Sequence, residues 1–314
     1  MEATLAQVAA TAMVNLSFAW TIGVLACRLW LIGQTAAWQQ AVVRRLAPAM
    51  LAGLACCAAA IFLSLWTEAA IMGDVAWPDA WPVCVQMMAT THYGHAGVTA
   101  MALLVVAMAA HPLLSRCGAG MRHVAGMGGL LMLVAAARVT TGHAYEHGPL
   151  SVAAAAQWVH LLCMALWAGI VFVAGSLALP RVRLLESAPT AERAAYLGAM
   201  SKWATAALAG VLATGAYNAC RVLGSPADLV AAAYGQVLLA KLLLVLMAIA
   251  LGGYNRFLGL PAALAAHDAP AAQRGLGVVI TVLRIESILL LLAVAAAAVL
   301  VNNPPPALHA YPGS

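Results

Sequence analysis

Apolar residues run along this chain in long blocks rather than in stripes. Segments such as LLLVLMAIALGG and ILLLLAVAAAAVLV are apolar on every side. Neither the one-faced pattern of a soluble helix nor the two-residue alternation of a barrel strand describes them. A hydrocarbon core about 30 Å thick needs about 20 apolar residues from a helix rising about 1.5 Å per residue. Inside it the backbone must satisfy its own hydrogen bonds, which leaves helices as the spanning element here. The pattern predicts an all-α polytopic membrane protein, a bundle of eight transmembrane helices near residues 5–32, 46–70, 82–110, 123–142, 151–179, 195–222, 234–260 and 276–301. Residues 1–314 read as a single transmembrane domain.

Composition excludes a soluble fold, because 65% of the residues are hydrophobic and 8% charged, against about 25% charged in soluble domains. The net charge of +5 at first suggests an acidic partner, but the 15 Lys and Arg are sorted by side. Arg44, Arg45, Arg116, Arg122, Arg181, Arg183, Arg193, Arg256 and Arg274 flank the loops after the first, third, fifth and seventh spans. The alternate loops carry Glu68, Asp74, Asp79, Glu146 and Asp228. The positive-inside rule therefore places both termini on the periplasmic side of a bacterial inner membrane, with the lipid bilayer as the chain's surroundings and no nucleic-acid partner. The opening MEATLAQ lacks a basic n-region, so the first span is expected to be retained. Seven cysteines make an odd count, and Cys27, Cys56, Cys57, Cys163 and Cys220 are among those that fall within spans, where packing or soft-metal chemistry outranks a disulfide framework. No stretch is long and polar enough for an extramembrane domain, so binding sites are expected between helices or at their ends.

An ionisable side chain within a span needs a partner or a function. In the third span, QMMATTHYGHAG sets His92 and His95 one turn apart, with Met88 four residues before His92 and Cys84 a further turn out. In the fifth span, QWVHLLCMALWAG puts His160 and Cys163 on one face. The fourth span ends in TGHAYEH, which brings His143 and His147. Counted along the helices, His92 and His95 lie about 15 to 20 Å in from the outer side and His160 about 14 Å in. These histidines of three successive spans are expected to share one site near the periplasmic surface. Imidazole together with thioether or thiolate suits copper, whereas hard cations favour carboxylates. The competing reading gives Met87, Met88, Cys84 and Cys163 to packing and makes the histidines interhelical hydrogen-bonders. His111, His123, His267 and His309 sit at cytoplasmic ends or in the tail and receive no role.

A second constellation occupies the last three spans, in ATGAYNACRVLG, AYGQVLLAKLLL, GGYNRFLGLP and LRIES. These carry Asn218, Arg221, Tyr234, Lys241, Asn255, Arg256, Arg284 and Glu286. Lys241 and Glu286 are expected to meet near mid-membrane as a structural ion pair that pins the register of the last two spans.

With these residues in place, the chain resembles the bacterial copper resistance D family (CopD) of inner-membrane proteins. The resemblance rests on His143 in TGHA, on His160 in HLLCMALWAG with Trp167 and Gly169, on TGxYNA around Thr214 and Asn218, and on YGQxLLxK around Tyr234 and Lys241. Asn255 with Arg256, Arg284 with Glu286 and a proline-rich end complete it. It implies an eight-helix protein of copper resistance or uptake that works with a small periplasmic copper-binding protein of CopC type.

Three functions stay open on the sequence. The chain handles copper through His92, His95, His143, His160, His147, Met88, Cys84 and Cys163. Alternatively, pairs among His92, His95, His143 and His160 hold haem b axially for electron transfer of a quinol or cupric reductase type. The third is an anchor or receptor for a periplasmic partner. Transport ranks above an oxidoreductase.

Overall fold

The computed structural model describes residues 5–32, 37–116, 120–141, 151–180, 190–222, 233–265 and 269–303. Among them there is no strand. The helices are α1 (Leu5–Leu29), α2 (Ala37–Met72), α3 (Trp81–Thr90), α4 (His92–Arg116), α5 (Met121–Val139), α6 (Val152–Val173), α7 (Thr190–Val222), α8 (Ala233–Tyr254), α9 (Leu260–Leu264) and α10 (Ala269–Val301). A π-helical stretch, Ala174–Ala178, prolongs α6, and another, Asn255–Gly259, joins α8 to α9. Seven helices among the described residues are long and apolar enough to cross a membrane: α1, α2, α4, α5, α6, α8 run on through α9, and α10. The remaining long helix, α7, spans 33 residues but carries Glu192, Arg193, Lys202 and Arg221, which lower its apolar character.

The interior is built around α1, which packs on α2 and α6. The closest approach falls at Gly23 of α1 and Gly169 of α6, where a methyl group on either glycine would run into the backbone of the facing helix. Between lipid-embedded helices association rests on packing, and a pair of glycines lets the backbones come together. Phe18, Leu46, Met50, Leu54, Leu65, Leu104, Met127, Leu131 and Ile170 fill the surrounding core. The last helices form an antiparallel hairpin: Gly259 faces Val279, and the buried Asn255 donates from Nδ2 to the Val279 carbonyl at 3.4 Å.

Several spans differ from the sequence reading, α10 among them, which starts at Ala269, ahead of residue 276. The second helix starts at Ala37, ahead of residue 46, and accommodates Pro48 within it. The third span is two helices, not one. Thr91 takes an extended backbone (φ −105°, ψ 149°) and serves both neighbours with one hydroxyl. Its Oγ1 donates to the Met87 carbonyl at 2.8 Å and accepts the Gly94 N–H at 3.0 Å. That is a helix cap in the middle of an apolar run, and Ser or Thr provides it well. Gly94 is required there, since a Cβ would collide with the Met87 carbonyl and the Met88 Cα.

Candidate functional site

The break at Thr91 separates the donors that an unbroken helix would have aligned. Cys84 and Met88 belong to α3, where Cys84 is fully buried and Met88 packs partly buried against the core. His92 and His95 open α4 and are exposed. His92 donates from Nε2 to the Thr140 carbonyl at the end of α5, at 3.2 Å. His95 donates from Nε2 to the Ala89 carbonyl of α3, at 3.0 Å. His160, on α6, turns instead to α7. His92, His95 and His160 thus go to three different neighbours. Among the described residues no group of three or more His, Cys, Asp or Glu side chains gathers to hold a metal ion. His143 and His147, with Glu146 between them, lie outside the described residues.

What the structure does assemble is a polar seam between α6 and α7, made from two of the motifs. Asn218 donates from Nδ2 to Gln157 Oε1 at 2.9 Å. One turn inward, His160 Nδ1 lies 2.9 Å from Thr214 Oγ1. The direction of that bond follows from counting protons. A threonine hydroxyl has one hydrogen, and Thr214 gives it to the Gly210 carbonyl at 2.6 Å. With that proton given away its oxygen accepts, an arrangement that favours the Nδ1–H tautomer of His160. Neutral imidazole in that tautomer presents a lone pair on Nε2, the nitrogen left for a metal. Cys163, the next turn along, puts its Sγ against Gly210 of the same helix. His160 and Cys163 therefore share the face turned to α7, as the sequence spacing required.

Lys241 of α8 lies within electrostatic range of His160. Both residues stand eight positions into helices that begin on the same expected outer side, about 12 Å along each. The ion pair expected between Lys241 and Glu286 is a different matter. Glu286 is buried beside Gly252 of α8 and has the Trp167 side chain as its hydrogen-bonding neighbour. Gly252 is eleven residues beyond Lys241, about 16 Å along the helix. The hairpin register therefore sets the two charges at different depths and joins Glu286 to the aromatic of the HLLCMALWAG segment.

Further in, Arg256 is fixed against α7. It donates from Nη1 to the Ser201 carbonyl (3.2 Å), Ser201 Oγ (2.8 Å) and Thr205 Oγ1 (2.9 Å). Arg284 donates from Nε to the Gly175 carbonyl at 3.4 Å. That carbonyl belongs to the π-helical stretch after α6, where the normal helical ladder is displaced. The C-terminal motifs thus bind α7, α8 and α10 to one another and to α6.

Sequence reasoning missed Thr214 as the partner of His160; the signal was Thr214 itself, in a motif noted only for its order. It also passed over a buried pair, His111 and His123, bonded to each other at 3.0 Å. Their positions near helix ends suggested solvation, but they are 2% and 0% exposed.

Residues 194–300 match the family described as Copper resistance protein D. This region holds Thr214, Asn218, Lys241, Asn255, Arg256, Arg284 and Glu286, and its Thr214 bonds the imidazole of His160, which lies outside the matched segment. No curated relative and no solved structure matches the chain.

Proposed function

We propose that this chain, a copper resistance D family protein by its residues 194–300, binds copper in the outer half of the bundle through His160 and Cys163, facing α7. One observation carries the reading: His160 Nδ1 lies 2.9 Å from the Thr214 hydroxyl, which itself reaches the Gly210 carbonyl at 2.6 Å, an arrangement that favours the Nδ1–H tautomer and leaves Nε2 as the ligand nitrogen. Metal-binding histidines are commonly held in this way by a hydrogen bond on the other ring nitrogen. Imidazole with a thiol one turn away is a soft, low-coordinate donor set, suited to copper above the hard cations.

The outer surface supplies a second part. His92 and His95 are exposed at the start of α4, and His92 is anchored to Thr140, three residues before His143 in the sequence. His92, His95, His143 and His147 receive copper at the periplasmic face, from a copper-binding protein of CopC type, and pass it to His160 and Cys163. Two weak sites in series favour release as well as capture. Met88 and Cys84 are assigned to packing. The eight-helix count, with α7 as a span and both termini periplasmic in an inner membrane, belongs to the same proposal.

The test is metal analysis together with an absorption spectrum on one detergent-purified sample. Bound copper(I) and no Soret band are expected, with copper lost when His92, His95, His143 and His160 are all replaced by alanine. A Soret band that disappears in the same variant would transfer the imidazoles to haem b. Undiminished copper in the variant would remove them from copper handling.

A further inference from the structure

At the inner ends of α1, α4 and α5, away from the α6–α7 seam, three nitrogen-rich side chains are enclosed together. Arg28 is 4% exposed, His111 2% and His123 0%. The imidazoles are edge to face, with centroids 5.0 Å apart and His123 Nε2 at 3.0 Å from His111 Nδ1. Arg28 lies within electrostatic range of both rings. Among the described residues, the charged and titratable groups facing the pair are Arg28 from α1 and the two histidines themselves, and α2 presents the Ala47 carbonyl beside His111. Arg28 Nε, His111 Nε2 and His123 Nδ1 are buried without a hydrogen-bond partner among the described residues.

This chemistry has one sign. Guanidinium is always charged, and each imidazole can only gain a proton. Among the described residues no acidic side chain faces Arg28, and a buried charge so placed is strongly disfavoured unless something compensates it. A copper ion would meet the guanidinium as a like charge, so the histidine pair is a poor metal site in spite of its two nitrogens. A small anion answers both needs at once, accepting from Arg28 Nε–H and cancelling its charge. With that charge cancelled, His123 Nδ1 can take a proton from water and become a second donor to the anion.

We propose that Arg28, His111 and His123 form a binding site for a small inorganic anion, reached from the cytoplasmic side and occupied together with a proton. Arg28 supplies the fixed charge. The histidine pair supplies the protonation that makes binding tighter as pH falls.

The probe is chloride. Full-length protein in neutral detergent is unfolded thermally while potassium chloride replaces potassium gluconate at constant ionic strength. Wild type is expected to gain a few degrees in Tm along a saturable curve, reaching half its value at lower chloride at pH 6 than at pH 8. Arg28→Gln loses the gain, whereas Arg45→Gln, an exposed control, keeps it. Equilibrium binding of radioactive chloride to wild type needs no variant, and is expected to give one saturable site. Absence of that site overturns the proposal, as does a chloride response equal in wild type and Arg28→Gln. Stabilisation by phosphatidylglycerol that chloride does not reproduce overturns it as well, by making the site one for a lipid headgroup. Copper binding at the α6–α7 seam can stand or fail independently of all these outcomes.

Discussion

His160 Nδ1 and Thr214 Oγ1 lie 2.9 Å apart, and the threonine hydroxyl also reaches the Gly210 carbonyl at 2.6 Å, an arrangement that favours the imidazole as the donor between them. A helix surface that reads as apolar packing thereby acquires one oriented nitrogen. The HLL and TGxYNA motifs meet in this bond.

Replacing Thr214 by valine keeps the shape and removes the acceptor. Copper(I) affinity, measured by competition with a chromophoric chelator, is expected to fall about 10- to 100-fold. Thr214→Ser should stay near wild type, since serine supplies the same hydroxyl. Full affinity in Thr214→Val, or a loss in Thr214→Ser with none in Thr214→Val, would show that the hydrogen bond does not hold the imidazole for copper.

The Gly23–Gly169 crossing predicts a steric penalty. Gly169→Ala sets a methyl group against the Ala19 carbonyl and Gly23, and is expected to destabilise the bundle by about 1–3 kcal/mol. Thermal unfolding in detergent reads this directly. Gly129→Ala has open space around its Cβ and should change little.

Lys241 and Glu286 are predicted to behave as independent sites. A double-mutant cycle of Lys241→Met and Glu286→Gln, read by thermal stability, should give a coupling energy below about 0.5 kcal/mol. A larger coupling would restore the ion pair that the sequence suggested.

Thr91→Ala removes the cap between α3 and α4. A loss of about 1 kcal/mol is expected, together with a change in the environment of His92 and His95, which would show as shifted imidazole NMR signals. Retention of both signals and stability would mean that Gly94 alone makes the break.

The helical class and most span positions were legible because an apolar block of membrane length has few alternatives. Register was not. Lys241 and Glu286 look like partners when each is counted from its own end, but the turn through Asn255–Gly259 and α9 fixes how α10 lies along α8, and it pairs Glu286 with Gly252. The Thr91 break was hidden because threonine is tolerated within helices and its hydroxyl reveals a cap only once its partners are known. His111 and His123 were passed over for a related reason: distance from a helix end says nothing about which face is covered. The facing of His160 and Cys163 on α6 was readable, since three residues of separation fix a common face whatever the tertiary contacts.

The most direct test of the central claim is copper K-edge X-ray absorption on the loaded, purified protein, wild type beside His160→Ala. The account predicts an imidazole nitrogen and a sulfur in the copper shell of wild type, with the imidazole scattering lost in the variant. An identical spectrum at identical copper content in both proteins would contradict it.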